Sequence, residues 1–497
     1  MSTEADAIAE EQLTSAQVKG RAATGVAVLM GRGIAFQLLG FLGNLVLARL
    51  LVPEDFGLVA IGYTVVNVGR FLAVGGLGYA IVGRTEAPDR RELRAITGLQ
   101  LLVTSGIGVA AAAVAIGVGG DALVTGFMML ALPLSAFRSP AMLLLQRRMD
   151  FKAQVKVDAS EVVVNLAWAI PAAALGFGAW SLATAMVAAA TVATVVACVL
   201  SPTGFLLPSL EFSRLRPILG FGLRFQAVNA SHLACDAVLI AGIGAIGGIT
   251  VLGLWNFAFR ILRVPYLLFE ALWHVGFPSF SRLQDAPDGQ DVGGLLERTV
   301  ATVAVAVVAV LCPLVACSPA LVPLLFGDVW ADASLILPGS ALALGVYGPI
   351  GISGYAYLYA RGDSTTALQG SFISNTVRWG TTFALLPGIG VAAIGIGWAA
   401  GAFSELPLVA IRTRRASGAR LVRRVVRPAI AGSLTAAAGW IIADSLGVTA
   451  PSALLSLLTA TAGFAGLMWI FDRDDLKEAL GMVRKAASEA RQGIRRA

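Results

Sequence analysis

Charge is scarce in this chain. Only 13% of its residues are Asp, Glu, Lys or Arg, about half the share found in an average soluble protein. Histidine is scarcer still, with His232 and His274 the only two. The four cysteines, Cys198, Cys235, Cys312 and Cys317, lie in or beside apolar runs without metal-ligand spacing to a histidine. That argues against a zinc site or a disulfide framework. No GxxxxGK[ST] loop occurs, so nothing points to ATP hydrolysis, and no Ser-His-Asp constellation is supported. No cofactor, metal or enzymatic activity is expected. The net charge of +7 does not imply nucleic-acid binding, because the basic residues sit in short loops and not on one soluble face.

What the chain has instead is long apolar runs. Hydrophobic residues make up 57% of it, with a mean hydropathy of +0.79. Fourteen runs of about 20 residues or more predict an all-α polytopic membrane protein. Their limits are 24–48, 57–82, 95–118, 122–145, 153–175, 178–201, 217–245, 249–279, 295–318, 333–360, 367–388, 390–411, 428–446 and 451–471. Gly247-Gly248 and Pro387-Gly388 are the expected turns between spans 7 and 8 and spans 11 and 12. The first twenty residues are polar and acidic, carry no signal peptide and are expected to be disordered. Phe326–Trp330 reads as an interfacial turn. Leu476, Leu480, Val483 and Ala487 recur at helical spacing among Lys and Arg, which predicts an amphipathic helix on the inner membrane surface.

The basic residues orient the chain. Of 37 lysines and arginines, 29 fall in alternate loops counted from the N-terminus or in the first turn of a span beside them, Arg49 alone falls in the other set, and seven lie deeper inside spans. The positive-inside rule then places both termini in the cytoplasm and requires an even number of spans. A weak internal repeat relates the hairpin around Gly57-Leu58 to that around Gly253-Leu254, six spans later. It implies two six-helix lobes of the same orientation, with spans 13 and 14 added. The expected organisation is an N-terminus (1–20), a first lobe (21–201), a cytoplasmic linker (202–216) and a second lobe (217–411). A basic cytoplasmic loop (412–427), spans 13 and 14 (428–471) and a cytoplasmic tail (472–497) follow.

Several spans carry charge, and it is gathered, not scattered. On a helix advancing about 100° per residue, Asn256, Arg260, Arg263, Glu270 and His274 fall within roughly 80° of one another. Tyr63, Asn67 and Arg70 share one face of span 2. Asp158, Glu161 and Asn165 share one face of span 5, and Ser371, Asn375 and Arg378 one face of span 11. A charge at mid-membrane costs at least about 2.5–3.5 kcal/mol, so such stripes suit a polar pathway inside a bundle. Pairing with neighbouring helices or snorkelling is the plainer reading of any single residue. Arg138, near Pro140 and a cytoplasmic loop, reads as structural. Tyr355, Tyr357 and Tyr359 read as interfacial anchors.

Three stretches are familiar. The run 47–58 (LARLLVPEDFGL) resembles the LARLLxPxxFGL hairpin of the polysaccharide-transporter branch of the multidrug/oligosaccharidyl-lipid/polysaccharide (MOP) exporters. The run 145–151 (LQRRMDF) is similar to the loop after their fourth span. The runs 236–242 (DAVLIAG) and 253–258 (GLWNFA) resemble their seventh-span hairpin. The pattern covers about residues 20–415 and is similar to Wzx-type lipid-linked oligosaccharide flippases. The resemblance implies a V-shaped pair of lobes about a central cavity. It also implies a bacterial inner-membrane exporter moving an undecaprenyl-pyrophosphate-linked oligosaccharide from the cytoplasmic to the periplasmic leaflet. Related lipid II flippases use the extra pair of spans as a groove for the lipid tail.

A pyrophosphate crossing about 30 Å of hydrocarbon needs cations, and arginine binds phosphate oxygens in pairs while staying charged. Arg70 and Arg263 are the first candidates, then Arg32 and Arg260, then Arg224. Tyr63, Asn67, Asn256, His274, Asn375 and Arg378 are expected to line the cavity. Glu270, Asp236, Glu161 and Asp158 are candidates for coupling transport to H+ or Na+, since a dry carboxylate binds a cation in one conformation and releases it in another. The expected partners are the lipid-linked oligosaccharide, membrane lipids and that ion. The rival readings are a multidrug/cation antiporter of the same superfamily and a membrane glycosyltransferase or polysaccharide ligase. The latter should carry a sizeable outer loop, which this chain lacks.

Overall fold

The computed structural model describes residues 36, 38–74, 88–148, 150–211, 215, 233–263, 265–266, 292–361, 363, 365–473 and 481. Every regular element among them is helical. In chain order these are α1 (Leu38–Leu50), α2 (Pro53–Val74), α3 (Arg90–Val118), α4 (Ala122–Met128), α5 (Ala131–Arg147), α6 (Phe151–Ala174), α7 (Ala179–Leu200) and α8 (Leu233–Arg263). They continue with α9 (Val292–Phe326), α10 (Leu337–Leu342), α11 (Gly348–Ala360), α12 (Thr365–Ile389), α13 (Ala392–Ser417), α14 (Leu421–Leu446) and α15 (Ala450–Phe471). A 3-10 turn (Asp328–Ile336) precedes α10 and a π-helical turn (Ala343–Tyr347) follows it. Among the described residues, eleven helical runs are long and apolar enough to cross a membrane. The protein is an all-α, multi-pass membrane protein.

Two glycines decide how adjacent helices are divided. The hydrogen-bonding pattern of α8 is unbroken over 31 residues, yet Gly248 has φ +82°. A Cβ on Gly244 would lie 3.7 Å from Leu252 Cδ2. In a straight helix residues eight apart are about 12 Å apart along the axis, so the chain doubles back at the Gly247-Gly248 turn. Between α12 and α13 the reversal comes later than predicted. Helix α12 runs through Pro387 to Ile389, and Gly390, with φ +60°, takes the left-handed position. Proline in a last turn forfeits one helical bond, whereas a positive φ is cheap only for glycine.

Two further expectations gain detail. The chain turns at Gly327, with φ +107°, where α9 ends at Phe326 and the 3-10 turn begins, and Trp330 of that turn is fully buried in the protein. The Trp330 and Phe326 rings pack at 4.3 and 4.7 Å from that of Phe257, a cluster that buries more apolar area than an interface would. The basic stretch 412–427 is mostly helical, with only Gly418–Arg420 joining α13 to α14. Glu297 of α9 accepts the Arg420 backbone N–H at 2.7 Å and Arg424 Nε at 3.2 Å, while Arg427 pairs with Asp472 at 3.0 Å. The amphipathic tail predicted after Asp474 lies outside the described residues.

The chain divides into two compact units, 1–241 and 242–497. In the first, α2 packs against α3, α4, α5 and α7. Its approach depends on small residues: a Cβ on Gly62 would meet Met128, and one on Gly69 would meet Leu132 and Ile107. Missing side chains of this kind let helices close without a hydrophobic driving force in lipid. In the second unit, α9 packs on α14 and α15, and α12 on α13. Gly339 and Gly395 bring backbones into direct contact, each leaving no room for a Cβ.

Helix α12 begins at a capped turn. Asp363 Oδ1 accepts the Thr366 N–H at 3.0 Å and the Thr365 hydroxyl at 2.9 Å, and its Oδ2 accepts the Thr366 hydroxyl at 2.6 Å. The hydrogen bonds from Thr366 hold this carboxyl below the usual aspartate range. A depressed folded value means the cap stabilises at neutral pH and is lost as pH falls through that lower value. Asp363→Ala should therefore cost about 1 kcal/mol at neutral pH. The gap from wild type should close in acid, which thermal unfolding of the detergent-solubilised protein at several pH values would read.

Candidate functional site

In the first unit four charged side chains converge. Asp158 and Glu161, three residues apart and therefore on one face of α6, both reach Arg138 of α5. Arg138 Nη2 donates to Asp158 Oδ1 at 3.2 Å and Nη1 donates to Glu161 Oε2. The three side chains are only 18%, 26% and 31% exposed. Arg138 thus has the structural role its sequence context suggested: its fork ties α5 to α6. Two of the four carboxylates proposed for ion coupling are therefore paired with an arginine.

Arg70 faces this cluster. Gly69, beside it, seats α2 on α5 six residues before Arg138. The charged and polar groups acting on Arg70 are Glu161, Arg138 and Tyr63. Its Nε is shut off from solvent without a hydrogen-bond partner. A buried donor left unmade costs about 1–3 kcal/mol, more when charged. The four groups, two arginines and two carboxylates, are formally neutral together, so the site can accept an anion without first having to shed one. Tyr63 is half-buried and Asn67, one turn before Arg70, is exposed.

In the second unit Asn256 Oδ1 accepts from Arg260 Nε at 3.1 Å, as their shared stripe predicts. The Arg263 guanidinium lies 5.9 Å from the Tyr266 ring centroid. Both arginines have further partners, as do Asp236 and Arg378. Asn375 is half-buried on α12. Arg32, Arg224, His232, Glu270 and His274 lie outside the described residues. Arg70 belongs to the first unit and Arg260 and Arg263 to the second.

The sequence reading missed one acid. Glu405 of α13 is 4% exposed. It accepts a hydrogen bond from the Tyr355 hydroxyl of α11, and the hydroxyl of Tyr347, at the end of the π-helical turn, contacts both. Tyr355 is therefore not an interfacial anchor. Tyr357, 4% exposed, donates to the Ala416 carbonyl at 3.1 Å and is no anchor either. Glu405 is the sole charge in the apolar run 390–411, a signal that could have singled it out; its tyrosine partners are on another helix.

An apolar cavity of about 510 Å³ lies between α9, the α10 segment and α14. Val308, Cys312, Pro338, Gly432, Ala436 and Trp440 are among its walls. Leu342 and Ile441, also on its lining, remain 37% and 66% exposed, so the cavity opens toward the helix surface.

Comparison with known proteins agrees with this architecture. The chain is 26% identical over 475 residues to the succinoglycan biosynthesis transport protein ExoT of Rhizobium meliloti (strain 1021), covering 88% of this chain and 91% of that one. Its fold is similar to that of the lipid II flippase MurJ in an inward closed conformation, with a TM-score of 0.66 at 11% identity over 89% of this chain and 98% of that chain. It is also similar to an inward-facing multidrug resistance MATE family transporter of the MOP superfamily. There the TM-score is 0.59 at 16% identity, over 77% of this chain and 94% of the other. The model of the family described as polysaccharide biosynthesis protein matches residues 46–335, more than half the chain. The chain belongs to that family of polysaccharide biosynthesis proteins.

Proposed function

We propose that the protein is a flippase that moves an undecaprenyl-pyrophosphate-linked oligosaccharide from the cytoplasmic to the periplasmic leaflet of the inner membrane, for synthesis of a surface polysaccharide. It has fourteen spans and both termini in the cytoplasm, and it works by alternating access. The observation that carries this reading is Arg70: a guanidinium inside a membrane bundle, with a buried Nε lacking a partner, beside a second arginine already neutralised by carboxylates. Such a group is retained at a cost unless an anion visits it. A diphosphate fits, since its oxygens match the guanidinium fork. An incoming diphosphate can also draw Arg138 from Asp158 and Glu161, exchanging one set of charge-assisted bonds for another. Arg260 and Arg263, on α8 in the second unit, are further candidates for binding a diphosphate. The apolar cavity between α9 and α14 suits the prenyl tail, because its lining is hydrocarbon and its rim is exposed.

A cation extruder would have no use for an unmatched arginine in its interior. The test is a strain lacking this gene, assayed for the leaflet in which lipid-linked oligosaccharide resides. Accumulation on the cytoplasmic side, reversed by the restored gene, is expected. An unchanged leaflet distribution together with new sensitivity to cationic drugs would replace this reading with drug export.

A further inference from the structure

Acids inside the spans fall into two kinds here. Asp158 and Glu161 sit on an arginine. Glu405 does not: it is 4% exposed and makes no ion pair among the described residues. Its neighbours are two phenols. Tyr355 donates to Oε1, and Tyr347 is in hydrogen-bonding contact with both Tyr355 and the carboxyl. Tyr359, one turn on along α11, is the other titratable group acting on Tyr355. From α12 the acid is faced by Gly370, where a Cβ would collide with Tyr355 Oη and Glu405 Oε1. The cation on that helix, Arg378, packs its Cβ against Gly401, one turn before Glu405, and makes no ion pair with it.

We propose that Glu405, Tyr347 and Tyr355 form a proton-binding site in the second unit, with Glu405 as the group that takes and releases the proton. The proposal deepens the transport reading by naming the coupled ion as H+. An intramembrane acid without a cation is held ionised only by hydrogen bonds. A phenol serves both protonation states, because its hydroxyl donates to a carboxylate and accepts from a carboxylic acid. In the ionised state both tyrosines donate to Glu405. On protonation one carboxyl oxygen gains the O–H, donates it to a tyrosine oxygen, and that phenol turns its own hydrogen elsewhere. No group need move by more than a rotation of O–H bonds. A metal ion would need several acceptor oxygens around it, and here the partners of the acid are donors pressed against a glycine.

The backbone around the site is built to hold this arrangement and to change it. Tyr347 ends the π-helical turn 343–347, and its ring lies over Gly351, where a Cβ would sit 2.7 Å from Cζ. A π turn carries one residue more than an α turn and is a place where register can change. Returning it to α-helix would rotate Tyr347 by about 100° and remove one of the two donors. That would couple the proton affinity of Glu405 to the conformation of the segment linking α10 and α11.

The test is an infrared pH titration of the full-length protein in lipid nanodiscs, comparing wild type with Glu405→Gln, Tyr347→Phe and Tyr355→Phe. The wild-type spectrum should show a protonated-carboxyl band that titrates while the protein stays folded and is missing from Glu405→Gln. Each phenylalanine variant should move its midpoint by about one pH unit, a tenfold change in proton affinity. The site is overturned if no such band titrates, if the band survives in Glu405→Gln, or if neither phenylalanine variant shifts it. Should Glu405→Gln fail to fold, the two tyrosine variants decide alone, since both leave the acid in place. No glycolipid enters this measurement, so a titrating Glu405 in a protein whose loss traps no glycolipid would sink the transport reading and keep the site.

Discussion

Arg70→Ala should lower transport of the lipid-linked glycan roughly 10- to 100-fold while leaving the amount of folded protein in the membrane unchanged or slightly higher. The two halves of this result come from different physics. Hydrogen bonds to a charged group contribute about 1.5–3 kcal/mol, and 1.4 kcal/mol is tenfold, which sets the expected loss if Arg70 grips a phosphate. The folded protein does not depend on the group in the same way. Arg70 makes no ion pair among the described residues, and its Nε is buried without a partner. Deleting it removes a desolvated charge and breaks no ion pair among the described residues, so stability should hold or rise. Arg70→Lys should fall between the two, keeping the charge but losing the fork. The measurements are the rate of glycolipid appearance in the outer leaflet and the fraction of monodisperse protein after extraction. A variant that folds and transports like wild type would remove Arg70 from the site.

Arg138→Ala should do the reverse and deplete the folded protein itself. Its removal leaves Asp158 and Glu161 facing each other in a mostly buried position without the cation that joins α5 to α6. Breaking a buried pair by taking one partner away costs about 3–5 kcal/mol, a large part of the stability of a typical domain. Neutralising the orphaned acids should restore folding: Arg138→Met with Asp158→Asn and Glu161→Gln replaces the ionic cluster by groups of similar size. Thermal unfolding of the three proteins would order them as wild type, rescued and single variant, the last lowest. If the rescued protein folds but exports no glycan, Arg138 contacts the substrate as well as its own acids. If it exports normally, the cluster is a strut.

The contrast between the two arginines shows where sequence reasoning succeeds. Both are single positive charges in apolar runs. The stripe Tyr63, Asn67, Arg70 was legible because helical period and hydropathy are properties of one segment. So was the shared face of Asp158 and Glu161, and the Gly247-Gly248 reversal needs only a residue that accepts positive φ. Tyr355 read as an anchor, and the acids that hold Arg138 went unnamed, because nothing local marks their partners.

Those partners are set by which helices touch, at what depth and with what rotation. Gly69 and Gly370 decide much of this by leaving room where a methyl group would not fit. By itself the sequence determined the class of the molecule and the helix faces that carry charge, since the hydrocarbon slab imposes those on each segment separately. The tertiary structure alone decided that Glu161 is neutralised while Arg70 keeps an unmatched Nε and Glu405 is left to two phenols. Charge pairing acts over a few ångströms between residues tens or hundreds of positions apart, and only the packed bundle brings them within reach.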